Sequence, residues 1–180
     1  SPYAATKIAA DKVAESFHRS YGLPLCTMRP FNTYGPRQSD RAVIPTIISQ
    51  ALKGKEIRLG AIWPTRDYTF VRDTVAGFIK AADCTEAVGI EINLGSNRDI
   101  SIGDLAGIIL KILGRSLPII EDPGRLRPEK SEVQKLCADN SRARMLLEWE
   151  PKISLEEGLV ETVRWIEEHF ELYEPSVYRI

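Results

Sequence analysis

Cysteine is scarce: the 180 residues hold Cys26, Cys84 and Cys137 and no others. They are odd in number, far apart and set in apolar or helical contexts, which argues against a disulfide framework and offers no zinc-ligand spacing. Histidine is scarcer. His18 and His169 both stand in helical patterns among charged neighbours, where surface histidines outnumber ligands and bases, and neither is assigned chemistry. No apolar run approaches the roughly 20 residues of a membrane-spanning helix, and no basic stretch followed by an apolar one opens the chain. Charge of either sign is not in excess: 24 Lys and Arg against 25 Asp and Glu leave −1. A nucleic-acid footprint needs a basic surplus or stripe, so none is expected. With 43% hydrophobic residues there is material for a core, and the expectation is a soluble, cytoplasmic protein of one domain or two small ones.

What is present starts with Tyr3 and Lys7, four apart at the head of a helical pattern and so one turn apart on one face. Ala10, Ala14, Phe17 and Tyr21 continue that face as a small, apolar stripe of the kind that meets a core. An ammonium inside such a stripe is costly to desolvate without a partner or a task. A neighbouring phenol supplies one, since a fixed positive charge favours the phenolate and brings a group that ionises near pH ~10 closer to use as a base. The same spacing fits a lysine whose stem passes a core tyrosine, and a Y-x-x-x-K pattern alone leaves both readings open.

The opening helix is predicted from Pro2 or Tyr3 to about Tyr21, stopped by Gly22 and Pro24. Leu25–Arg29 then reads as a buried strand, and the segment from Arg29 to Gln38, with Pro30, Gly35 and Pro36, as the functional loop beyond its carboxyl end. A helix carries Val43, Ile44, Ile47, Ile48, Ala51 and Leu52. Ile57–Leu59 and the alternating run Arg66–Val71 are strands, and Asp73 is placed as the cap of a helix bearing Val75, Phe78, Ile79 and Ala82. Ile90–Leu94 is a strand, Ser101 to Asp104 a capping box ahead of a helix closed by Gly114, and Leu117–Ile120 an edge strand. A charged, loop-like stretch spans Pro123–Lys135. Asp139 or Asn140 then caps a short helix through Leu147, and a second capping box at Ser154–Glu157 opens the last helix. Strands alternating with helices make the chain α/β with a parallel component.

Four stretches occur in an order that resembles the extended short-chain dehydrogenases/reductases acting on nucleotide sugars. They are Tyr3-x-x-x-Lys7, Arg29-Pro30-Phe31-Asn32-Thr33-Tyr34-Gly35-Pro36, Arg66-Asp67-Tyr68-Thr69-Phe70-Val71-Arg72-Asp73, and Arg127-Pro128 with Ala138-Asp139-Asn140-Ser141. The resemblance spans the whole chain but only the C-terminal half of that family. It implies part of a Rossmann-type parallel sheet, formed by residues 1–40 and 67–98, with a small nucleotide-sugar domain from 41–66 and 99–180. The family's N-terminal Gly-rich cofactor half, its catalytic Ser/Thr and its acidic elimination residues have no counterpart here, so the chain reads as a truncated one, expected to be inactive alone. Arg41 to Pro45, Pro64 to Asp67 and Arg127 to Val133 look most like NAD-dependent UDP-N-acetylglucosamine 4,6-dehydratases. dTDP-glucose 4,6-dehydratases and UDP-sugar 4-epimerases remain alternatives, as does a non-catalytic nucleotide-sugar-binding or assembly module. Two departures stand out: Glu148 where the family has a helix-ending Gly, and Gly60-Ala61-Ile62-Trp63 in place of a Gly-Asp-Gly turn.

By resemblance, Tyr3 is the proton acceptor at the sugar 4-hydroxyl and Lys7 holds the nicotinamide ribose of NAD. Pro30 and Phe31 meet the nicotinamide by backbone, and Asn32 the sugar diphosphate. Arg66 and Arg127 clamp the diphosphate, with Arg41, Val43 and Ile44 also on the substrate side. Those roles imply a nucleoside-diphosphate sugar as small-molecule partner. Strands Leu25–Arg29 and Ile90–Leu94 taken from a larger sheet would expose an apolar edge, so self-association, as a homodimer near the Tyr3-to-Tyr21 helix, is expected.

Overall fold

The computed structural model describes residues 1–126 and 132–173. Helix α1 (Pro2–Tyr21) is capped by the Ser1 hydroxyl, which accepts from Ala4 N, and is ended by Gly22 at φ 65°, a left-handed conformation that suits glycine. Strand β1 (Thr27–Pro30) pairs in parallel with β5 (Glu91–Leu94), Met28 opposite Ile92. Among the described residues no other strand joins these two.

A second sheet is built on β4 (Thr65–Phe70), the longest strand. Its carboxyl half pairs in parallel with β2 (Asn32–Tyr34), and its amino half is flanked by antiparallel β6 (Asp99–Ser101) and by the two-residue β8 (Lys135–Leu136). A third, parallel pair joins β3 (Ile57–Leu59) to β7 (Ile119–Glu121). The expected α/β architecture with parallel pairing is what the chain adopts.

Around these strands lie α2 (Val43–Lys53), α3 (Val71–Ala82), α4 (Ile102–Ile112), α5 (Ser141–Leu147) and α6 (Leu155–Glu168). The main core takes Ile44, Ile47 and Ile48 from α2, Leu105 and Ile109 from α4, Leu159 and Ile166 from α6, and Tyr34, Tyr68 and Phe70 from the sheet. Their spacing along each helix is the three-and-four repeat that turns one face inward. A smaller cluster unites Ile92 and Leu94 of β5 with Ala81, Ala143, Leu147 and Trp149. Within α6, Gly158 permits the close approach of β2: a Cβ there would overlap the Tyr34 hydroxyl, which donates to Leu155 O at 3.0 Å.

Three expectations need correction. The stripe Ala10, Ala14, Phe17 and Tyr21 does not meet a core; α1 buries no residue, and Phe17 and Tyr21 are 49% and 78% exposed. Periodicity defines a face, but burying it requires an element across from it. Asn32–Tyr34, expected within a loop, is strand β2. Asp73 does not cap α3, which begins two residues earlier; it is buried, and its carboxylate accepts from Ile153 N at 3.0 Å.

The caps of α4 and α6 form as expected. Ser101 accepts from Asp104 N, and Ser154 and Glu157 bond reciprocally, which holds the Glu157 carboxyl below the usual carboxylate range. Cys26, Cys84 and Cys137 are free thiols. Glu148 takes a left-handed φ of 46°, the conformation for which glycine is suited.

Candidate functional site

A cleft of about 350 Å³ opens between β2, the start of α2 and the Arg66–Tyr68 stretch of β4. Asn32, Arg41, Val43, Ile44 and Arg66, named from sequence on the substrate side, all line it. Larger cavities of about 520 and 780 Å³ elsewhere hold none of them. Each arrives by a different local route. Asn32 opens β2, where its side-chain amide donates to Asp67 O at 3.1 Å and so is tied to the neighbouring strand. Val43 and Ile44 form the first turn of α2, which has no side-chain cap. Arg41 stands just ahead of that helix, exposed, and its guanidinium has no partner among the described residues.

Arg66 is the most committed of the set. Its Nη1 donates to Thr65 O and Val133 O at 2.8 and 2.7 Å, and its Nη2 to Glu132 Oε1 at 2.7 Å. The Arg66 and Glu132 side chains are 14% and 13% exposed, so the ion pair is largely desolvated and its partners are costly to separate. Two residues on along the same strand face, Tyr68 also borders the cleft. Burial raises its phenol above the ordinary range, and the opposing pull of the Arg66 charge is the weaker effect, so Tyr68 is a neutral hydroxyl at neutral pH.

Asp67 lies between them with its carboxylate on the other side of the strand. It is fully buried and accepts from Ser96 N, Ser96 Oγ, Asn97 N and Ala138 N at 2.8, 2.6, 2.9 and 3.0 Å. Asn140 Nδ2 adds a bond to Gly95 O at 2.8 Å. The strand that presents Arg66 and Tyr68 is thereby fastened to the turn after β5 and to the segment after β8.

The cofactor-side residues stand elsewhere. Tyr3 and Lys7 lie on α1, with Lys7 Nζ 5.5 Å from the Tyr3 ring centroid and Tyr3 70% exposed. Pro30 ends β1, and the Phe31 N–H is already spent on Leu94 O at 2.8 Å. None of these four lines the cleft. An Arg29 ion pair with Asp11 at 2.5 Å and with Glu91 at 2.9 Å ties α1 to the β1–β5 pair. Arg127 lies outside the described residues. Gln38, Thr46, Arg125 and Glu132 line the cleft without having been assigned a role from sequence. Tyr68 was signalled by the two-residue alternation from Arg66, Thr46 by its helical spacing of three from Val43, and Gln38 by its place in the loop expected to be functional; Arg125 and Glu132, distant in sequence, had no signal. Among the described residues no cluster of His, Cys, Asp and Glu could hold a metal ion, and no helix is long and apolar enough to cross a membrane.

A Rossmann-type α/β fold with a cleft lined by arginines and a tyrosine–lysine pair on an adjoining helix defines a class, and comparison with known proteins narrows it. The GDP-mannose 4,6 dehydratase family matches residues 1–162, and the chain belongs to that family. It is 36% identical over 175 residues to a UDP-glucuronate 4-epimerase of Thermodesulfobacterium geofontis, covering 96% of this chain and 52% of that one. It is 32% identical over 181 residues to a dTDP-glucose 4,6-dehydratase of Streptomyces griseus, covering 98% and 53%. Among solved structures, the UDP-glucuronic acid 4-epimerase of Bacillus cereus, in complex with UDP-glucuronic acid and NAD, superposes with a TM-score of 0.86 at 30% identity, over 94% of this chain and 53% of that one. The chain thus spans about half the length of the relatives it matches.

Proposed function

We propose that this chain is the nucleotide-sugar-binding part of an NAD-dependent enzyme that oxidises a nucleoside-diphosphate sugar at C4, with residues 1–40 and 67–98 on the cofactor side and 41–66 and 99–180 on the sugar side. The observation that supports it is the meeting of Asn32, Arg41, Val43, Ile44 and Arg66 in one cleft, from segments separated in sequence. Two guanidiniums suit a diphosphate because each offers paired donors in one plane and a permanent charge. The apolar Val43 and Ile44 suit a base, Asn32 the sugar-bearing phosphate, and the neutral Tyr68 hydroxyl adds a donor.

Tyr3 would take the proton from the sugar 4-hydroxyl. Lys7, one turn along, would hold the nicotinamide ribose and favour the tyrosinate by its charge. The exposure of both side chains on α1 leaves them open to a ligand, which fits that use. NAD, when bound, supplies the acceptor for the C4 hydride. We read the outcome as 4,6-dehydration of a UDP-N-acetylglucosamine or dTDP-glucose type of sugar, one water being lost before the hydride returns. The identity to a UDP-glucuronate 4-epimerase favours a second reading, in which hydride returns to the opposite face without loss of water. The exposed apolar side chains of α1 support association of two copies through that helix in the cytoplasm.

The test is mass spectrometry of the sugar after incubation of the intact protein with NAD and each nucleotide sugar. A product one water lighter marks dehydration, and an isomer of unchanged mass marks epimerisation. Tyr3→Phe should cut turnover at least ~10²-fold, the usual contribution of an acid–base group. Arg66→Ala should weaken nucleotide-sugar binding by about 1.5–3 kcal/mol while sparing NAD. Wild-type turnover in Tyr3→Phe, or unchanged affinity in Arg66→Ala, removes that residue from the site.

A further inference from the structure

Arg41 reaches the cleft from residues 35–42, the loop that joins β2 to α2. Local preference does not set the path of that loop. Gly35 has a φ of 152° and lies so close to α3 that a Cβ would overlap Val71, and Arg37 takes a left-handed φ of 68°, which a side chain disfavours. Arg37, Ser39 and Arg41 are exposed. Bonds of short range hold part of the path: Gln38 N donates to Gly35 O at 3.3 Å, Ala42 N to Ser39 O at 3.0 Å and Thr46 Oγ1 to Asp40 O at 3.1 Å. A further bond comes from far away. Tyr173 Oη donates to Gln38 O at 3.0 Å across 135 residues. Tyr173 is itself fixed: it is 5% exposed, its ring meets Trp165 edge-on at 6.0 Å, and its N–H donates to Phe170 O at 3.0 Å. In the same turn, the Phe170 ring carries Nζ of Lys53, the last residue of α2, at 4.0 Å. The turn after α6 thus clasps the loop and its helix at both ends.

Resting on the diphosphate reading above, we propose that Tyr173 is a positioning residue of the cleft: its hydroxyl, through Gln38 O, holds the loop in the path that presents Arg41 to the ligand. Arg41 stands three residues after Gln38 and has no bond of its own to fix it, so its guanidinium is only as well placed as its backbone. Without the hydroxyl, the loop spends part of its time on other paths, and the apparent affinity falls by the fraction of molecules that keep the competent one. Two consequences separate this role from general support of the fold. First, the loss is confined to what the loop delivers, so it depends on Arg41 and not on Arg66, whose strand is fastened separately through Asp67. Second, the loop amides open more often while the rest of the protein stays closed.

Tyr173→Phe tests both, because it keeps the buried ring and deletes the donor. Calorimetric titration of the intact protein with UDP, and with dTDP, is the measurement, with amide exchange at Ala42 beside it. The expected result is a UDP dissociation constant about 3- to 10-fold higher in Tyr173→Phe, the worth of one neutral hydrogen bond, and faster exchange at Ala42. In a double-mutant cycle the same change should cost less than ~2-fold once Arg41→Ala is present, and its full factor beside Arg66→Ala. Unchanged UDP affinity in Tyr173→Phe overturns the proposal, as does an undiminished effect in the Arg41→Ala background or unaltered exchange at Ala42. Any of these leaves Tyr173 as a residue of the core alone. Arg66→Ala separates the two levels. If that change leaves UDP affinity intact, or if wild type takes neither UDP nor dTDP, the diphosphate reading itself fails and the proposal with it. If Arg66→Ala weakens UDP while Tyr173→Phe does not, only the proposal fails.

Discussion

Replacing Asp67 by Asn perturbs the fastening of the site strand without touching the cleft surface. The wild-type carboxylate receives four donors, two on each oxygen. An amide retains one acceptor oxygen. Its better orientation keeps that oxygen on Asn97 N and Ala138 N and turns the NH2 to Ser96 Oγ, which can accept while still donating to Arg98 O at 3.0 Å. The Ser96 N–H is then left facing a donor. An orphaned buried donor costs about 1–3 kcal/mol, and the bonds that remain lose their charge assistance, roughly another 1 kcal/mol. The sum is about 3 kcal/mol. For a domain of this size, each kcal/mol lowers the melting temperature by about 2–4 °C, so a drop of about 6–12 °C is expected. Asp67→Ala, which strands all the donors, should lose more. Urea unfolding followed by circular dichroism gives the free energy, and amide exchange should show Ser96 released first. A Asp67→Asn protein within about 0.5 kcal/mol of wild type would refute the reasoning, as would an alanine variant no worse than the amide one.

Two further outcomes follow from burial and exposure. Tyr34 and Tyr68 are both held above their ordinary phenol value of 10.0 by burial, so each stays protonated in the fold while the unfolded chain ionises; stability present below pH ~10 should be lost as pH rises beyond it, and Tyr34→Phe should shrink that alkaline loss, an unchanged alkaline profile counting against it. On α1, Tyr3, Ile8, Val13, Phe17 and Tyr21 are 49–78% exposed, and sedimentation should return a dimer that Phe17→Glu dissociates, whereas a clean monomer at micromolar concentration refutes association through this helix.

The elements most legible in the sequence are those whose signals are local. The α6 start was readable because Ser154 and Glu157 need only each other, and both bonds form. The strand at β4 was readable from its alternating β-formers, and the helical faces of α2 and α4 from their apolar spacing. Glu148 was readable as a strained end: the side chain stands where a left-handed φ is needed. Strand β2 was not readable, because Asn32-Thr33-Tyr34 is short, polar and bracketed by Pro30 and Gly35. It is a strand through its ladder with Tyr68, Thr69 and Phe70. The same limit explains α1. Its stripe is real, and whether a stripe is buried depends on what lies across from it, which periodicity does not contain.

The cleft shows the boundary between what a motif carries and what a fold adds. Arg66, Asp67 and Tyr68 were recognisable as one tripeptide, yet their division of labour comes from the two-residue period of β4, which sends Arg66 and Tyr68 to the cleft and Asp67 to the fastening behind it. That division makes the tripeptide inseparable: a guanidinium can hold an anion at a fixed point only if its strand is fixed, and here the fixing is done by the adjacent carboxylate through Ser96, Asn97 and Ala138. Glu132 could not be assigned from the sequence for the complementary reason. It lies 66 residues from Arg66 in a stretch of mixed charge, and its carboxylate acquires meaning only when β8 pairs with β4 and brings it against that guanidinium. The pairing that completes the sheet thus also sets a carboxylate against the site arginine, so the strand and the partner of its guanidinium arrive together.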